Sequence, residues 1–212
     1  MLAIGRRTWM SGVLALGLLA ACNSGGGGGT AIGADDMVVG AADAPVTLIE
    51  YASTTCPHCA DFHETVWDQL KENYIDTGQL RVVFREFPTP PEPIAVAGFQ
   101  IARCGGASPE QYFARLSEMF RQPRAILSTD YSAGVREASV DIGAAAGLGR
   151  DQVLGCINDE AGAERIRRIV EGSRAFNVTG TPTLILNGTK LEDPSVLTYE
   201  GLTRAIDAEL ES

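Results

Sequence analysis

The stretch VTLIEYASTTCPHC, residues 46–59, decides the fold. Its first seven residues are mostly apolar or β-branched and predict a strand. A Cys-Pro-His-Cys segment follows from Cys56 to Cys59, and beyond it apolar residues recur at every fourth position. This spacing predicts a helix over 57–76, which Pro57 can begin because a first-turn N–H has no helical partner. Two cysteines therefore stand where a strand gives way to the start of a helix.

Two further strand regions are predicted after this helix. Residues 80–87 (LRVVFREF) are rich in β-branched and aromatic side chains, which favour a strand. Residues 183–186 predict a third strand, and Asn187-Gly188 predicts a tight hairpin turn into a returning strand at 189–191. The strands thus lie towards the two ends of the chain.

The residues between and after these strands favour helices. No strand is evident from 90 to about 175, where apolar spacing predicts four or five helices. A last helix, N-capped by Thr198, follows the hairpin. The predicted helices span 93–104, 109–121, 130–147, 150–158, 160–175 and 199–210.

The order of these elements is typical of the thioredoxin fold, in which a Cys-x-x-Cys segment opens a helix after the first strand. The segment Cys56-Pro57-His58-Cys59 also resembles the active site of the DsbA-type oxidoreductases. The resemblance implies an α/β thioredoxin fold with an inserted all-helical domain. The expected divisions are a first thioredoxin part at 37–89, a helical insertion at 90–175 and a second thioredoxin part at 176–212.

The positions of the two cysteines predict different chemical roles. The nucleophile in disulfide exchange is a thiolate, and a helix N-terminus lowers the pKa of a thiol placed there. Cys56 is therefore expected to attack substrate, while Cys59, one turn deeper, resolves the mixed disulfide. His58 would stabilise the Cys56 thiolate and so make the Cys56–Cys59 disulfide a stronger oxidant.

The resemblance extends to two more parts of the chain and implies roles for them. Glu50, six residues before Cys56, matches a buried acidic residue that helps to move the proton of the buried cysteine. Residues 178–183 (VTGTPT) resemble a cis-proline loop that binds substrate backbone, with Thr181 and Pro182 facing the disulfide. No cofactor is implied. The helical pattern places His63 on the exposed side of its helix, where we expect no role for it.

The N-terminal residues predict export. Arg6 and Arg7 precede an uncharged apolar run that is too short to span a bilayer, so residues 1–21 are predicted to be an export signal. The run ends in a Leu-Ala-Ala-Cys segment that resembles a bacterial lipobox, which implies lipidation of Cys22. A Gly-rich tether is then expected at 22–36. A cleaved signal with an incidental cysteine, or an uncleaved anchor, remains an alternative.

The other cysteines are consistent with this interpretation. If Cys22 is lipidated, four of the five cysteines remain, an even number in a compartment that permits disulfides. Cys104 and Cys156 are then expected to form a structural disulfide, which would tie two helices together. The alternative is a pair of buried free thiols.

Charge and composition narrow the class of partner. The formal net charge of −10 argues against nucleic acid as a partner, because a phosphate-binding surface requires a basic excess. The expected substrates are reduced or misoxidised exported proteins, and the expected reoxidant is a membrane partner, quinone-linked in similar systems. The protein is expected in the periplasm or cell envelope, anchored to a membrane by its lipid. The short span between Met37 and the first predicted strand favours a monomer, because it leaves no room for a dimerisation domain.

Three alternative functions remain open. A disulfide isomerase or reductase of the same fold would use the same cysteines. A thiol metallochaperone would recruit His58 and His63, although structural zinc usually takes four ligands and the sequence has no second close cysteine pair, so we expect no metal. A chaperone-like binding module would not need Cys56.

Overall fold

A computed structural model describes residues 31–121 and 131–212, with only the main chain described at 131–133 and 135. The predicted export signal, Cys22 and all but the end of the Gly-rich tether lie outside the described residues. Among the helices of the described ranges, none combines the length and hydropathy that a membrane span requires.

The described strands form one five-stranded mixed sheet in the order β1-β3-β2-β4-β5. Strands β2 and β3 are parallel neighbours at its centre, each seven residues long and buried over most of its length. β1 and β4 flank this pair in antiparallel orientation. The strands are β1 Met37–Val39, β2 Val46–Ala52, β3 Leu80–Glu86, β4 Thr183–Leu186 and β5 Thr189–Lys190.

The register of the central pair determines where the loops after the strands emerge. Val46 pairs with Leu80, and Ala52 pairs with Glu86 at the other end. Because parallel strands end at the same edge of a sheet, the segment after β2, which carries the cysteines, emerges beside the segment after β3. The predicted cysteine pair therefore lies at the carboxyl edge of the sheet.

The first helix, α1, follows directly at residues 57–75. Its segments Pro57–Phe62 and Asp68–Leu70 are α-helical, whereas His63–Trp67 and Lys71–Ile75 have π-helical hydrogen bonding. The remaining helices are α2 Glu92–Ala102, α3 Pro109–Arg121, α4 Tyr131–Ala145, α5 Arg150–Ile157, α6 Glu160–Gly172 and α7 Tyr199–Leu210, with short 3₁₀ turns at Ser173–Phe176 and Pro194–Leu197.

Each face of the sheet has its own apolar cluster. On one face, Leu48 and Phe84 pack with α1 and with side chains of the helical insertion such as Tyr112. On the other face, Ile49 and Val83 belong to a smaller cluster that is covered by α6. Residues adjacent in a strand point to opposite faces, which is why neighbours such as Leu48 and Ile49 enter different clusters.

The predicted thioredoxin fold with a helical insertion is confirmed. Strands at both ends of the described chain build the sheet, and the described residues between β3 and β4 form five helices, α2 to α6. The prediction missed β1, because three residues are too few to show the alternation that identifies a strand. The domain boundaries stay a prediction, since the helices of the insertion share the larger apolar cluster with the sheet.

Candidate active site

The loop between β2 and α1 is fixed by hydrogen bonds to the segment that follows β3. The Thr55 hydroxyl donates to the Thr89 carbonyl oxygen over 2.9 Å. The Thr89 N–H donates to the Ser53 hydroxyl oxygen over 3.1 Å. The Cys56 N–H donates to the Ser53 carbonyl oxygen, also over 3.1 Å. Because Ser53 and Thr55 are themselves buried, these bonds hold Cys56 at the start of α1.

Helix α2, the first helix of the insertion, packs against the same loop. The Thr54 hydroxyl donates to the Ala95 carbonyl oxygen over 3.2 Å. A Cβ atom at Gly98 would lie 2.6 Å from the Thr54 hydroxyl oxygen, closer than real contacts allow. The absence of a side chain at Gly98 thus permits the close approach of α2 to the loop.

Cys56 is the N-cap residue of α1. Its extended backbone places the sulfur beyond the first turn, where it accepts from the Cys59 N–H over 3.4 Å. As a thiol, Cys56 donates to the Thr181 carbonyl oxygen over 3.2 Å. Pro57 occupies the first helical turn, as the sequence predicted. The Cys56 sulfur therefore lies between a helix start and the loop that contains Thr181.

This environment favours the thiolate of Cys56. The hydrogen bond from the Cys59 thiol, the largest contribution, lowers the pKa of Cys56 to about 6, although burial opposes the shift. Thr181 and the backbone N–H groups of Cys59 and His58 lower it further. The buried Thr181 hydroxyl has no hydrogen-bond partner among the described residues while Cys56 is a thiol, so it is available to donate to the thiolate.

The environment of Cys59, in contrast, favours the protonated thiol. Complete burial raises the pKa of Cys59 far above its usual range, and interactions with Cys56 and with the charge of Glu50 add to the rise. Both cysteines are free thiols in the structure. At neutral pH one sulfur is therefore a thiolate, ready to attack, and the other holds its proton.

The loop facing the cysteines contains a cis peptide bond between Thr181 and Pro182. The Thr183 hydroxyl donates to the Gly180 carbonyl oxygen over 2.7 Å and closes the turn. The Thr181 carbonyl is the group that contacts Cys56. The structure thus brings together Cys56, Cys59, Thr181 and Pro182, as the sequence predicted; the substrate-binding role of the loop stays a prediction.

His58 lies between the cysteines but its ring points outward. The side chain is 79% exposed, and its Nδ1 atom is 3.9 Å from an Asp61 carboxylate oxygen. The contribution of His58 to the pKa of Cys56 comes from its backbone N–H. Stabilisation of the Cys56 thiolate by the imidazole therefore stays a prediction.

The expectation for His63 was wrong. His63 is buried rather than on the helix surface, and its Nε2 atom lies 3.1 Å from one Glu50 carboxylate oxygen and 3.2 Å from the other. Glu50 is fully buried on β2, as the resemblance implied. The structure thus adds a histidine to the predicted site.

One signal in the sequence could have identified His63. Trp67 follows His63 by four residues, so the two share one side of the helix, and Trp67 is large and apolar. The prediction followed only the stripe that begins at Phe62. In the structure both stripes are buried, and the segment His63–Trp67 is π-helical, a distortion that is frequent at functional sites.

The other two cysteines form a separate structural element. Cys104 follows α2, Cys156 lies in α5, and a disulfide joins them with a Cα–Cα distance of 5.6 Å. Within the described ranges, no group of three or more histidine, cysteine, aspartate or glutamate residues is arranged to hold a metal ion.

Comparisons with known proteins agree with this geometry. A family model described as thioredoxin matches residues 33–208. A provisionally named protein-disulfide oxidoreductase of Rickettsia typhi is 33% identical over 178 residues, which is 84% of this chain and 63% of that protein. The chain thus spans a little less than two thirds of the length of such relatives.

Solved structures give the same result for the fold. The crystal structure of Wolbachia pipientis alpha-DsbA1 is 28% identical, with a TM-score of 0.71 over 83% of this chain and 91% of that one. Oxidised BdbD of Bacillus subtilis, at 20% identity and a TM-score of 0.68, shares the fold over 84% of this chain and 94% of its own.

Proposed function

The chain belongs to the thioredoxin family and is of its DsbA type, and on that premise we propose that it oxidises cysteine pairs of exported proteins. The disulfide donated is that between Cys56 and Cys59. The observation that carries the proposal is the opposite shift of the two pKa values, lowered to about 6 for Cys56 and raised far above its usual range for Cys59.

The reaction proceeds in two exchanges. A substrate thiolate attacks the Cys56 sulfur, the Cys56–Cys59 bond breaks, and Cys59 leaves as a thiolate that takes up a proton. The second substrate thiolate then attacks the substrate sulfur of the mixed disulfide. A substrate disulfide forms and Cys56 leaves as a thiolate. Two electrons have passed from the substrate dithiol to the enzyme.

The low pKa of Cys56 favours this direction. A stabilised thiolate is a good leaving group, so the second exchange is fast. Stabilising the reduced enzyme also makes its disulfide easier to reduce, which is what an oxidant requires. Thr181 contributes from the cis-proline loop, which we propose binds the substrate backbone beside Cys56.

A redox titration tests the proposal. The protein is equilibrated with glutathione buffers, and the fraction of Cys56–Cys59 disulfide is measured by thiol labelling and mass spectrometry. We expect a potential near the value of about −120 mV for DsbA. A value near that of thioredoxin, about −270 mV, would instead indicate a reductase, and one near about −180 mV an isomerase.

The cellular setting is part of the same proposal. We propose export through a signal at 1–21, lipidation of Cys22, and a tether at 22–36 that links a membrane to a catalytic unit at 37–212. The unit comprises the two thioredoxin parts and the insertion at 90–175. It works as a monomer in the periplasm or cell envelope, where a membrane protein reoxidises it, through quinone in similar systems.

The anchor is testable on the full chain. We expect the protein expressed in a bacterium to fractionate with membranes and to incorporate a labelled fatty acid. A Cys22→Ser variant should lose the label while it retains the Cys56 chemistry, because the proposed exchange uses only Cys56 and Cys59. A labelled Cys22→Ser protein would refute lipidation at this residue.

A further inference from the structure

His63 is a buried titratable group that the exchange chemistry above does not use. Its Nε2 atom lies within 3.2 Å of both carboxylate oxygens of Glu50, and the side chains of both residues are almost fully buried. The charge of Glu50 in turn contributes to the raised pKa of Cys59. Glu50 therefore contacts the imidazole directly, and its charge acts on the buried thiol.

Aromatic side chains fix the orientation of the imidazole. The ring stacks on Trp67 with 4.9 Å between centroids and on Phe120 with 4.3 Å, at interplanar angles of 24° and 28°. Held between two rings, His63 can turn little about its side-chain bonds. One ring nitrogen is thus directed at Glu50, and the other is directed away from it.

The second nitrogen, Nδ1, has no hydrogen-bond partner within the described part of the chain. A buried polar atom without a partner is destabilising, so a water molecule or a function is expected there. His63 also lines a cavity of about 50 Å³ between α1 and α3. A cavity of this volume is large enough for a water molecule.

Charged groups surround the cavity on both helices. Glu64 and Asp68 line it from α1, and Arg121 lines it from α3, 3.8 Å from an Asp68 carboxylate oxygen. Together with Glu50 on β2, these are the charged groups that the described residues place around His63. The carboxylates favour a proton in this cavity, and the exposed side chains of Asp68 and Arg121 place the cavity at the protein surface.

We propose that His63 relays protons between Glu50 and water in this cavity, so that Cys59 gains and loses its proton on the side of α1 away from the substrate. The proposal rests on the disulfide exchange proposed above. His63 does not touch the reacting sulfurs; it acts through Glu50 and is a positioning residue.

The proposed path of the proton is simplest in the reoxidation of the reduced enzyme. Cys56 is joined in a mixed disulfide to the oxidant, and the Cys59 thiol gives its proton to the Glu50 carboxylate as its sulfur attacks Cys56. The Cys56–Cys59 bond forms, and the oxidant leaves as a thiolate carrying the electron pair. His63, protonated on Nδ1, accepts the Glu50 proton at Nε2 and releases the Nδ1 proton to water. During substrate oxidation the same path runs inward.

The two exchange steps can be timed separately with dithiobis(nitrobenzoate). The Cys56 thiolate of the reduced protein releases a first equivalent of thionitrobenzoate, and attack by Cys59 on the mixed disulfide releases a second. His63→Gln keeps an amide that can bond to Glu50 but cannot relay a proton. We expect the second phase to slow by about tenfold or more and to change its pH profile, with the first phase unchanged.

His58→Gln is the matched control, because the chain contains only two histidines. It changes the exposed residue beside Cys56, so any effect should fall on the first phase. The two phases also distinguish the proposed oxidase function from the proposed His63 relay. A slow first phase with the pH profile of an ordinary thiol contradicts the oxidase function. A fast first phase with an unaltered second phase in His63→Gln overturns the relay.

A second measurement on the unmutated site covers the case in which His63→Gln does not fold. In a Trp9→Phe chain, Trp67 is the sole tryptophan, and it stacks on His63. Because protonation of an imidazole changes the fluorescence of a stacked indole, Trp67 fluorescence should change during the second phase of thionitrobenzoate release and stay constant during the first. A Trp67 fluorescence that stays constant through the second phase overturns the relay.

Discussion

Each of the two cysteine pairs of this molecule can form a disulfide, but the two pairs lie in opposite environments. Cys56 and Cys59 are three residues apart on one helix start and are free thiols. Cys104 and Cys156 are 52 residues apart and are joined in a disulfide that connects the end of α2 to α5. The first pair lies in hydrogen bonds that favour a thiolate, whereas disulfide bonding leaves the second pair no thiol to ionise.

The comparison indicates what makes a cysteine pair structural or exchangeable. The two deciding properties are the length of the loop that the disulfide closes and the position of the pair relative to a helix N-terminus. Closing a loop of 52 residues constrains the unfolded chain by about 4 kcal/mol, whereas closing one of three residues contributes about 2 kcal/mol. The short pair is therefore less strongly held as a disulfide. A helix N-terminus then stabilises its reduced form and makes the bond exchangeable.

The largest expected effect is the loss of activity in Cys56→Ser. A hydroxyl does not form the mixed disulfide, so oxidation of a reduced two-cysteine peptide should fall to the uncatalysed background. Cys59→Ser should instead attack a peptide supplied as its disulfide and accumulate a mixed disulfide between Cys56 and that peptide, visible by mass spectrometry, because no Cys59 thiol is present to resolve it. A trapped peptide on Cys104 or Cys156 would contradict the separation of the two pairs.

Removal of the Cys104–Cys156 disulfide should lower the free energy of unfolding and leave disulfide exchange at Cys56 unchanged. For the double variant Cys104→Ser and Cys156→Ser we expect a loss of about 4 kcal/mol in the free energy of unfolding. Urea denaturation of the oxidised protein measures it. Because the proposed exchange uses only Cys56 and Cys59, the first phase of thionitrobenzoate release should keep its rate. A loss of that phase at full stability would show that the second pair also takes part in exchange.

A smaller effect is expected when only the pH is changed. The pKa of Cys56 is about 6 in the folded protein and 9.0 for an ordinary cysteine, so the thiolate stabilises the reduced fold. This contribution is complete above 9.0 and is lost as the pH falls through about 6. The pKa of Cys59 is raised, so its own contribution is constant below the pKa of an unfolded cysteine.

The measurement is the unfolding free energy of reduced and oxidised protein at several pH values. The difference, reduced minus oxidised, should rise by at most about 1.4 kcal/mol per pH unit between about 6 and 9. The Cys104–Cys156 bridge stays intact in both samples under mild reductant. A difference that does not vary with pH would place Cys56 among ordinary thiols.

Sequence reasoning was most successful where local rules and spacing coincide. The strand before Cys56, the helix opened by Pro57 and the hairpin at Asn187-Gly188 each depend on nearby residues, and all three are present in the structure. The helices of the insertion follow their apolar spacing to within a few residues. The cysteine pair at the helix start could thus be located without coordinates.

The features that could not be predicted from local sequence depend on tertiary contacts. β1 is a short segment whose strand geometry comes from pairing with β3, and three residues do not show a period. His63 is buried because Glu50 and Phe120, from other elements of the chain, enclose it. No periodicity along α1 alone determines that environment. The Thr181 contact with Cys56 joins residues 125 positions apart, and it was predicted only through the resemblance to a cis-proline loop, not through any local rule.

The difference in ionisation between Cys56 and Cys59 is the central claim, and alkylation at varied pH tests it most directly. The reduced protein is treated with iodoacetamide between pH 4 and 9, and each modified cysteine is identified by mass spectrometry. We predict that Cys56 reacts with a midpoint near 6 and that Cys59 stays unmodified across this range. A midpoint for Cys56 near that of an ordinary thiol, 9.0, or modification of Cys59 first, would contradict the account.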